Sequence, residues 1–276
     1  MMIRRLLVSL VLLAVPVAAQ ETNTNLQGLN GANDALVWQA VGRLDAGGKG
    51  FCTATLISPE FVLTAAHCVY SKEDASPIAP GDLTFRAGLR HGSVSAERTV
   101  AQVEPHPGFR PRAPLDARNI KHDVALLRLA EPISTSVLDP FILHDSRLER
   151  GSVSVVSYGL GRAELPSRQR VCQMLGTHEG VVFMDCDVTF GSSGAPVFTH
   201  RNGRGQIVSV ISGMGSYDGQ RVTYGMELPA RVAELKHQMR VNASGPVASA
   251  RRITAGSAGT SAARADGAKF VRPGGS

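Results

Sequence analysis

The pattern of hydrophobic and polar positions predicts a chain built mainly from short β-strands. Runs rich in Val, Thr, Ile and Phe are separated by clusters of Gly, Pro and Asp. This spacing is typical of antiparallel β-structure in a sandwich or a barrel. The predicted strands cover residues 37–44, 51–57, 61–65, 83–89, 98–105, 123–129, 152–159, 194–198 and 206–212. An all-β fold is therefore expected.

One segment near the C-terminus follows the helical period instead. Residues 229–241, "PARVAELKHQMRV", place Val232, Leu235 and Met239 on one face, with Pro229 in the first turn. The sequence shows no internal repeat and no Gly-rich loop that leads from a strand into a helix. The pattern predicts one C-terminal helix and gives no support for nucleotide chemistry.

The first 19 residues have the pattern of a secretory signal peptide. Two arginines precede an apolar stretch from Leu6 to Val15, and Val17 and Ala19 occupy the positions expected before a cleavage site. The alternative, a helix of the folded body, would normally alternate apolar with polar residues. The apolar stretch is shorter than the roughly 20 residues that span a bilayer, and every later apolar run is interrupted. We therefore expect an exported protein, secreted or periplasmic, with no integral membrane segment.

The formal net charge of +6 lies at the two ends of the chain. The signal peptide carries +2 and residues 243–276 carry +4, so residues 20–242 are neutral. A basic protein often binds nucleic acid, but a neutral body gives no basis for such a partner. The basic segment 243–276 is rich in Gly, Ala, Ser and Arg and too poor in apolar residues to form a core, which predicts a disordered tail. It is either solvated or in contact with an anionic surface.

The rest of the chain divides into an arm and a single domain. Residues 20–36 are polar and Asn-rich, as expected of a short propeptide or a loose arm. Residues 37–242 have a suitable length for one all-β domain or for two small packed lobes. We expect a monomer.

The four cysteines of this exported chain are expected to form two disulfides. They are Cys52, Cys68, Cys172 and Cys186. No CxxC spacing and no nearby histidine pair indicates a metal site, and we expect no metal or other cofactor. Four cysteines allow three pairings, and short separation favours Cys52 with Cys68 and Cys172 with Cys186.

Three short segments carry candidate chemistry. In "VLTAAHCV", His67 follows an apolar strand and precedes a cysteine that a disulfide could hold, a rigid mount for a general base. In "KHDVALLRL", Asp123 begins an apolar strand, where a buried carboxylate can orient an imidazole. In "GSSGAP", Ser193 lies between Gly191 and Gly194, which allow close backbone approach. Singly, each segment has a purely structural interpretation; together they are the parts of a serine triad.

The turn around Ser193 also suits the stabilisation of a negative charge. The N–H groups of Gly191 and Ser193 can point at one spot, where a carbonyl oxygen would become an oxyanion. The remaining histidines lack partners at a recognisable spacing and are expected at the surface or in turns. They are His91, His106, His122, His144, His178, His200 and His237.

The segments "TAAHC", "DVALLRL" and "GSSGAP" resemble the three catalytic blocks of the trypsin/chymotrypsin-like serine peptidases. The resemblance runs from about residue 37 to 241, and it implies two antiparallel β-barrels with the active site between them. It also implies His67 as general base, Asp123 as its orienting carboxylate and Ser193 as nucleophile. The oxyanion hole would be formed by the backbone of Gly191 and Ser193. Ser212 falls where the family has a serine that hydrogen-bonds the triad carboxylate.

One position departs from the animal digestive members of this family. They read GDSGGP, and an N-terminal ammonium group pairs with the Asp after activation. Ser192 replaces that Asp here, so this activation switch is expected to be absent. The variant is similar to bacterial branches, including glutamyl endopeptidases.

The residues that would choose a substrate are less clear in the sequence. Asp187 lies six residues before Ser193, where trypsin has an Asp at the base of its pocket, and a carboxylate there would favour Arg or Lys. The loop "CDVTFG" can equally turn Asp187 toward backbone amides. Ser212, Gly213 and Met214 are expected in one pocket wall, which Met214 would narrow. This wall lacks the histidine that a glutamate preference would need.

We therefore predict a secreted serine endopeptidase that acts on polypeptides through an acyl-enzyme intermediate. Two alternatives use the same fold: a catalytically silent binding protein and an esterase with the same triad. A periplasmic quality-control protease would need a further peptide-binding domain, for which the tail is too short.

Overall fold

The computed structural model describes residues 23–48, 50–146, 149–201 and 203–243. The expected signal peptide lies outside the described residues, as does the expected basic tail apart from residue 243. The described chain is mostly β-strand, with few and mostly short helices. Among these residues, no helix has both the length and the apolar character needed to cross a membrane.

The elements follow one another in a long series of strands that ends in a helix. In chain order they are β1 (Leu26–Gly28), α1 (Ala32–Leu36), β2 (Val41–Ala46), β3 (Phe51–Leu56), β4 (Phe61–Thr64), β5 (Leu83–Ala87), β6 (Ala96–Pro105), α2 (Ala117–Ile120), β7 (Ala125–Leu129), β8 (Gly151–Gly159), β9 (Arg162–His178), β10 (Val181–Met184), β11 (Pro196–Arg201), β12 (Arg204–Tyr217), β13 (Gln220–Met226) and α3 (229–243).

Strands β2 to β7 close into a six-stranded antiparallel barrel in the order β2-β3-β4-β7-β6-β5. Side chains alternate between the interior and the outer face, as a strand's two-residue period requires. In β5, for example, Leu83, Phe85 and Ala87 are buried, whereas Thr84 and Arg86 are only partly so. The alternating sequence pattern therefore builds the first barrel directly.

Strands β8 to β13 form the second sheet, in the order β9-β10-β13-β12-β11-β8. Strand β8 also pairs with β9, from Gly151 opposite Met174 to Gly159 opposite Arg162, and so brings the two ends of the sheet together. Strand β1 adds to β9, with Leu26 opposite Gln169. The predicted class, all-β with two barrels and a C-terminal helix, is confirmed.

The core is divided between the two barrels. The larger cluster fills the first barrel and continues under α3 through Val232, Leu235 and Met239. Trp38 joins this cluster, with its ring 5.1 Å from that of Phe198. A smaller cluster fills the second barrel around Cys172 and Cys186.

Both disulfides have the pairing that short separation favours. Cys52 bonds Cys68 within the first barrel, and Cys172 bonds Cys186 within the second. Each barrel is therefore cross-linked within itself.

The element boundaries differ from the predicted ones at the N-terminal side. Residues 37–40 form a turn after α1 rather than the start of a strand. In this turn the ring of Trp38 packs against Phe141 and Phe198. Residues 26–28, in the segment expected as an arm or propeptide, form β1. Strands β1, β9, β10 and β13 are absent from the predicted set. β1, β9 and β13 are mixed in composition. β10, by contrast, is a four-residue apolar run between Gly180 and Asp185 that the prediction missed. His106 begins a turn, as predicted for a surface or turn histidine, but it is buried and has a partner, with its Nε2 3.4 Å from the Glu234 carboxylate.

Candidate active site

His67 lies at the start of a rigid connection in the first barrel. It belongs to a 3-10 helix, Ala66–Val69, that directly follows β4. The next residue, Cys68, is bonded to Cys52 on β3. The neighbours Ala65 and Ala66 are fully buried. The histidine backbone is therefore held by packing on one side and by a covalent link on the other.

Asp123 is fully buried between α2 and β7 and accepts three hydrogen bonds. The backbone N–H of His67 donates to Oδ1 at 2.8 Å. The His67 Nδ1 lies 2.7 Å from Oδ2, and the Ser212 hydroxyl donates to the same oxygen at 2.5 Å. A carboxylate in this position holds Nδ1 as the protonated nitrogen and leaves Nε2 as the acceptor. The imidazole is thus oriented as a general base.

The protonation of His67 depends on two opposing influences. Burial lowers the pKa of His67, whereas the charge of Asp123 and its hydrogen bond raise it. Lys72, a cation in the same region, lowers the pKa again. The balance leaves the pKa of His67 above the ordinary value of 6.5. A base requires the neutral ring, which becomes the major form only above that raised pKa.

The turn around Ser193 can be built only with its two glycines. Gly191 and Gly194 have φ angles of +92° and +79°, a region that other residues rarely adopt. A Cβ on Gly191 would lie 2.4 Å from the ring of Phe51, and one on Gly194 would lie 2.2 Å from the Thr53 carbonyl oxygen. The turn therefore packs directly against β3 of the first barrel.

The backbone of this turn exposes two N–H groups. Within the described ranges, neither the N–H of Gly191 nor that of Ser193 donates to a protein acceptor. Their carbonyl groups are both held by Thr53, whose Oγ1 donates to Gly191 at 2.9 Å and whose N–H donates to Ser193 at 2.8 Å. Nor does the Ser193 hydroxyl bond any described residue. Two amides and a hydroxyl are thus left for a ligand.

Ser192 points away from this surface into a buried polar network. Its Oγ lies 3.0 Å from Nη2 of Arg162, and the Arg162 Nη2 also donates to Ser157 Oγ at 2.9 Å. Burial lowers the pKa of Arg162 to about 10, against a raising influence of Asp187, so the guanidinium stays charged at neutral pH. The partly buried Arg162 therefore supports the turn through Ser192, the residue that replaces the Asp of the animal digestive members.

A cavity of about 400 Å³ unites most of the predicted site residues. Its lining comes from both barrels. It consists of Phe51, Cys52, His67, Lys72, Leu115, Val188, Thr189, Phe190, Gly191, Ser193, Ile211, Ser212, Gly213 and Met214. The buried carboxylate of Asp123 lies directly behind His67. An imidazole, a hydroxyl and the two residues with free N–H groups therefore line one cavity.

Asp187 does not line this cavity. Its side chain is 56% exposed, and its Oδ1 lies 3.7 Å from Nη2 of Arg221. Its backbone N–H donates to the side-chain oxygen of Gln169 at 2.7 Å. The next residue, Val188, is buried and takes the place in the cavity wall.

One cluster of possible metal ligands lies beside the site. Atoms of Cys52, His67 and Cys68 come within 4.8 Å of one another. The two sulfurs form a disulfide and so offer no thiolate to a metal. These residues therefore do not constitute a metal centre in the oxidised protein.

Several residues of the site could not be found from the sequence. Thr53 looks like any β-branched residue of a strand, and Arg162 begins a strand that the pattern did not predict. Leu115 lies in the loop just before α2, outside the three blocks. Phe190 alone carried a signal, because a large apolar residue directly precedes the glycine of the turn.

Comparisons with known proteins agree with this architecture. Residues 27–236 match the family model described as Trypsin. Kallikrein-15 from Saguinus oedipus is 32% identical over 140 residues, which cover 50% of this chain and 49% of the relative. Coagulation factor XII from Rattus norvegicus is 35% identical over 100 residues, which cover 34% of this chain and 15% of the relative. The chain spans about half or less of the length of these curated relatives.

Two solved structures share the fold. A Glu endopeptidase in complex with MPD superimposes with a TM-score of 0.61 and 18% identity, over 77% of this chain and 95% of that one. The thermostable serine protease AL20, from an extremophilic microorganism, gives a TM-score of 0.58 and 16% identity, over 72% and 95% of the two chains. At these identities the likeness concerns the fold.

Proposed function

The chain belongs to the trypsin family, and on that premise we propose that it is a serine endopeptidase that cleaves polypeptides through an acyl-enzyme intermediate. The observation that carries the proposal is the chain of hydrogen bonds from Ser212 through Asp123 to His67, beside a free Ser193 hydroxyl in one cavity. The roles proposed are nucleophile for Ser193, general base for His67 and orienting carboxylate for Asp123.

In the first half of the reaction, Ser193 Oγ attacks the carbonyl carbon of the scissile bond while its proton passes to His67 Nε2. The carbonyl oxygen becomes an oxyanion that accepts hydrogen bonds from the N–H groups of Gly191 and Ser193. The C–N bond then breaks, and the departing amine takes the proton from His67. The acyl group stays on Ser193 as an ester.

In the second half, a water molecule replaces the departed amine. His67 takes a proton from this water as the oxygen attacks the ester carbonyl, and the same two amides hold the second oxyanion. The proton then returns to Ser193 as the C–O bond breaks and the acid product leaves. Asp123 stays ionised throughout and stabilises the imidazolium that forms twice.

Export completes the proposal. Trypsin-like proteases with disulfides are typically extracellular, and this chain has two disulfides. We propose that residues 1–19 direct secretion and that the mature enzyme acts as a monomer on polypeptide substrates. Sequencing the N-terminus of the exported protein would test the cleavage, and sedimentation would test the monomer.

The catalytic proposal predicts that Ser193→Ala abolishes peptide cleavage while the fold is retained. We expect kcat to fall by roughly 10⁴-fold or more, because no other group can form the acyl-enzyme. A fluorophosphonate reagent should label the wild type and not the variant, and circular dichroism should be unchanged. Ser192→Ala is the matched control, since Ser192 faces a buried network. Full activity in Ser193→Ala would contradict the mechanism, and ester hydrolysis without any peptide cleavage would overturn the endopeptidase proposal.

A further inference from the structure

The cavity that holds His67 and Ser193 has a mainly apolar wall on the side of the second barrel. Resting on the proposed endopeptidase function, we infer that the enzyme selects substrates with an apolar side chain, of the size of Leu or Phe, on the acyl side of the scissile bond. The sequence alone left open a basic residue through Asp187 and gave an acidic residue no histidine partner, and it did not point to an apolar one.

The inner wall is built from three residues of the second barrel. Val188 and Ile211 are 2% and 1% exposed, and Met214 packs against the same buried cluster. They come from the segment before the Ser193 turn and from β12. A side chain that enters beside these residues leaves water for apolar surface, which favours binding in proportion to its apolar area. The wall therefore discriminates by the hydrophobicity of its ligand.

A cationic side chain would find no counter-charge at this wall. The carboxylate of Asp187, the group that could supply one, lies outside the cavity next to Arg221. Arg221 also donates to the Val188 carbonyl at 2.8 Å, and it lies 3.5 Å from the Met214 sulfur. A guanidinium or ammonium group would thus lose hydration without gaining an ion pair.

An acidic side chain has no partner on the same wall. The cation among the lining residues is Lys72, which follows the helix that carries His67. It belongs to the first barrel, where its Nζ lies 3.9 Å from the position of a Cβ on Gly50. The wall of Val188, Ile211 and Met214 comes from the opposite barrel and presents neither a histidine nor a lysine. Arg221, which borders the wall from outside the cavity, already pairs with Asp187 and donates to the Val188 carbonyl. A carboxylate at the wall would therefore be desolvated without a partner among the lining residues.

Large apolar side chains also surround the mouth of the cavity. Phe190 is 73% exposed and Leu115 is 44% exposed, and both line the cavity. Leu160, 70% exposed, lies next to Phe190, since its N–H donates to the Phe190 carbonyl at 2.7 Å. Exposed apolar residues grouped around one opening mark a contact surface rather than chance exposure. The rim would cover an apolar substrate and exclude water from it.

A series of peptide p-nitroanilides tests the inference. The peptides differ only in the residue before the anilide, which is Phe, Leu, Arg or Glu. We expect kcat/KM for Phe or Leu to exceed that for Arg and Glu by about tenfold or more. Phe190→Ala should lower kcat/KM for the Phe and Leu peptides by several-fold. Asp187→Asn should change the ratio of Phe to Arg by less than twofold.

The outcomes separate the inference from the proposed function. Preferred cleavage after Arg, lost in both Ser193→Ala and Asp187→Asn, would overturn the apolar selection and leave the endopeptidase in place. Preferred cleavage after Glu would also overturn the apolar selection and leave the endopeptidase in place. In that case Lys72→Met should abolish the preference for Glu. Cleavage of no peptide in the series, by an enzyme that the fluorophosphonate labels, would overturn both.

Discussion

Thr53 has a buried hydroxyl that positions residues of the site, although Thr53 itself does not line the cavity. Its Oγ1 donates to the Gly191 carbonyl at 2.9 Å and accepts the N–H of Tyr158 at 3.0 Å, while its N–H holds the Ser193 carbonyl. These bonds fix the carbonyl side of Gly191 and of Ser193, the two residues whose own N–H groups are left free, and so hold the turn in place. Thr53 is therefore a positioning residue for the proposed oxyanion hole, and it acts from the opposite barrel.

We predict that Thr53→Val lowers kcat by about 10- to 100-fold with little change in KM. Valine has the same shape but leaves the Gly191 carbonyl and the Tyr158 N–H without their partner. The turn that carries the two free N–H groups is then held less firmly. The matched control is Thr55→Val on the same strand, because the Thr55 hydroxyl is buried with no partner among the described residues. Kinetics and thermal unfolding of both variants check this. Equal kcat values in the two variants would contradict the positioning role.

Asp187 shows where reasoning from sequence ends at this scale. The spacing to Ser193 correctly indicates which loop borders the cavity, since Val188, Thr189 and Phe190 line it. The direction of the Asp187 side chain depends on Gln169 and Arg221, which are distant in sequence. Spacing carries information about the backbone, whereas side-chain direction depends on partners that only the fold brings near.

At the scale of elements, most strands with an apolar or an alternating run were predictable, although the apolar strand β10 was missed. Strand β9 alternates buried residues with charged or polar ones over a long stretch, and Pro166 interrupts it. It is a strand because β8, β1 and β10 supply its backbone partners. Helix α3 was predictable because its apolar face follows the helical period. Local pattern thus identifies elements that carry their own signal, and pairing determines the others.

A stacked pair of histidines connects α3 to the loop that carries Asp123. The rings of His106 and His122 lie 4.6 Å apart at their centroids. His106 Nδ1 accepts the N–H of Gly108 at 3.1 Å, and its Nε2 lies 3.4 Å from the Glu234 carboxylate on α3. Burial lowers the pKa of both histidines, with further lowering by Arg231 and partial compensation by Glu234. Protonation of either ring is therefore less favourable in the folded protein than in the unfolded chain.

We predict that the free energy of unfolding falls as the pH drops below about 6.5, the ordinary value for histidine. A histidine whose folded pKa is lowered stabilises the fold above the unfolded pKa, and this stabilisation is lost as pH falls through the folded pKa. The raised pKa of His67 acts in the opposite direction, since its contribution is complete at low pH and is lost as pH rises through the folded pKa. His122→Gln should therefore reduce the loss of stability between pH 7 and pH 5.

Urea unfolding of the wild type and variants at several pH values provides the measurement. His237→Gln is the matched control, because His237 is an exposed histidine on α3, the helix that carries Glu234. The pH dependence of the control should follow that of the wild type. If the free energy of unfolding of the wild type rises toward pH 5, and that of His122→Gln rises by the same amount, the proposed role of the histidine pair is wrong.

At the scale of the whole molecule, the site exists only where the two barrels meet. His67 and Asp123 come from the first barrel, whereas Ser193, Ser212 and the free amides come from the second. Each barrel has its own disulfide, and the two loops are nearly equal, with sequence separations of 16 and 14. The two disulfides therefore restrict the unfolded chain to a similar extent. In the folded chain, one holds the helix that carries His67 and the other holds the segment before Val188.

The double variants Cys52→Ala/Cys68→Ala and Cys172→Ala/Cys186→Ala should each lose about 3 kcal/mol of stability, since loops of such similar length constrain the unfolded chain almost equally. Their activities should differ well below the unfolding temperature. The first variant frees the helix that holds His67, so we expect kcat to fall by about tenfold or more. The second loosens the segment that leads into Val188, so KM should rise while kcat changes less. Because each variant serves as the stability-matched control of the other, equal losses of kcat would mean that the disulfides act through stability alone.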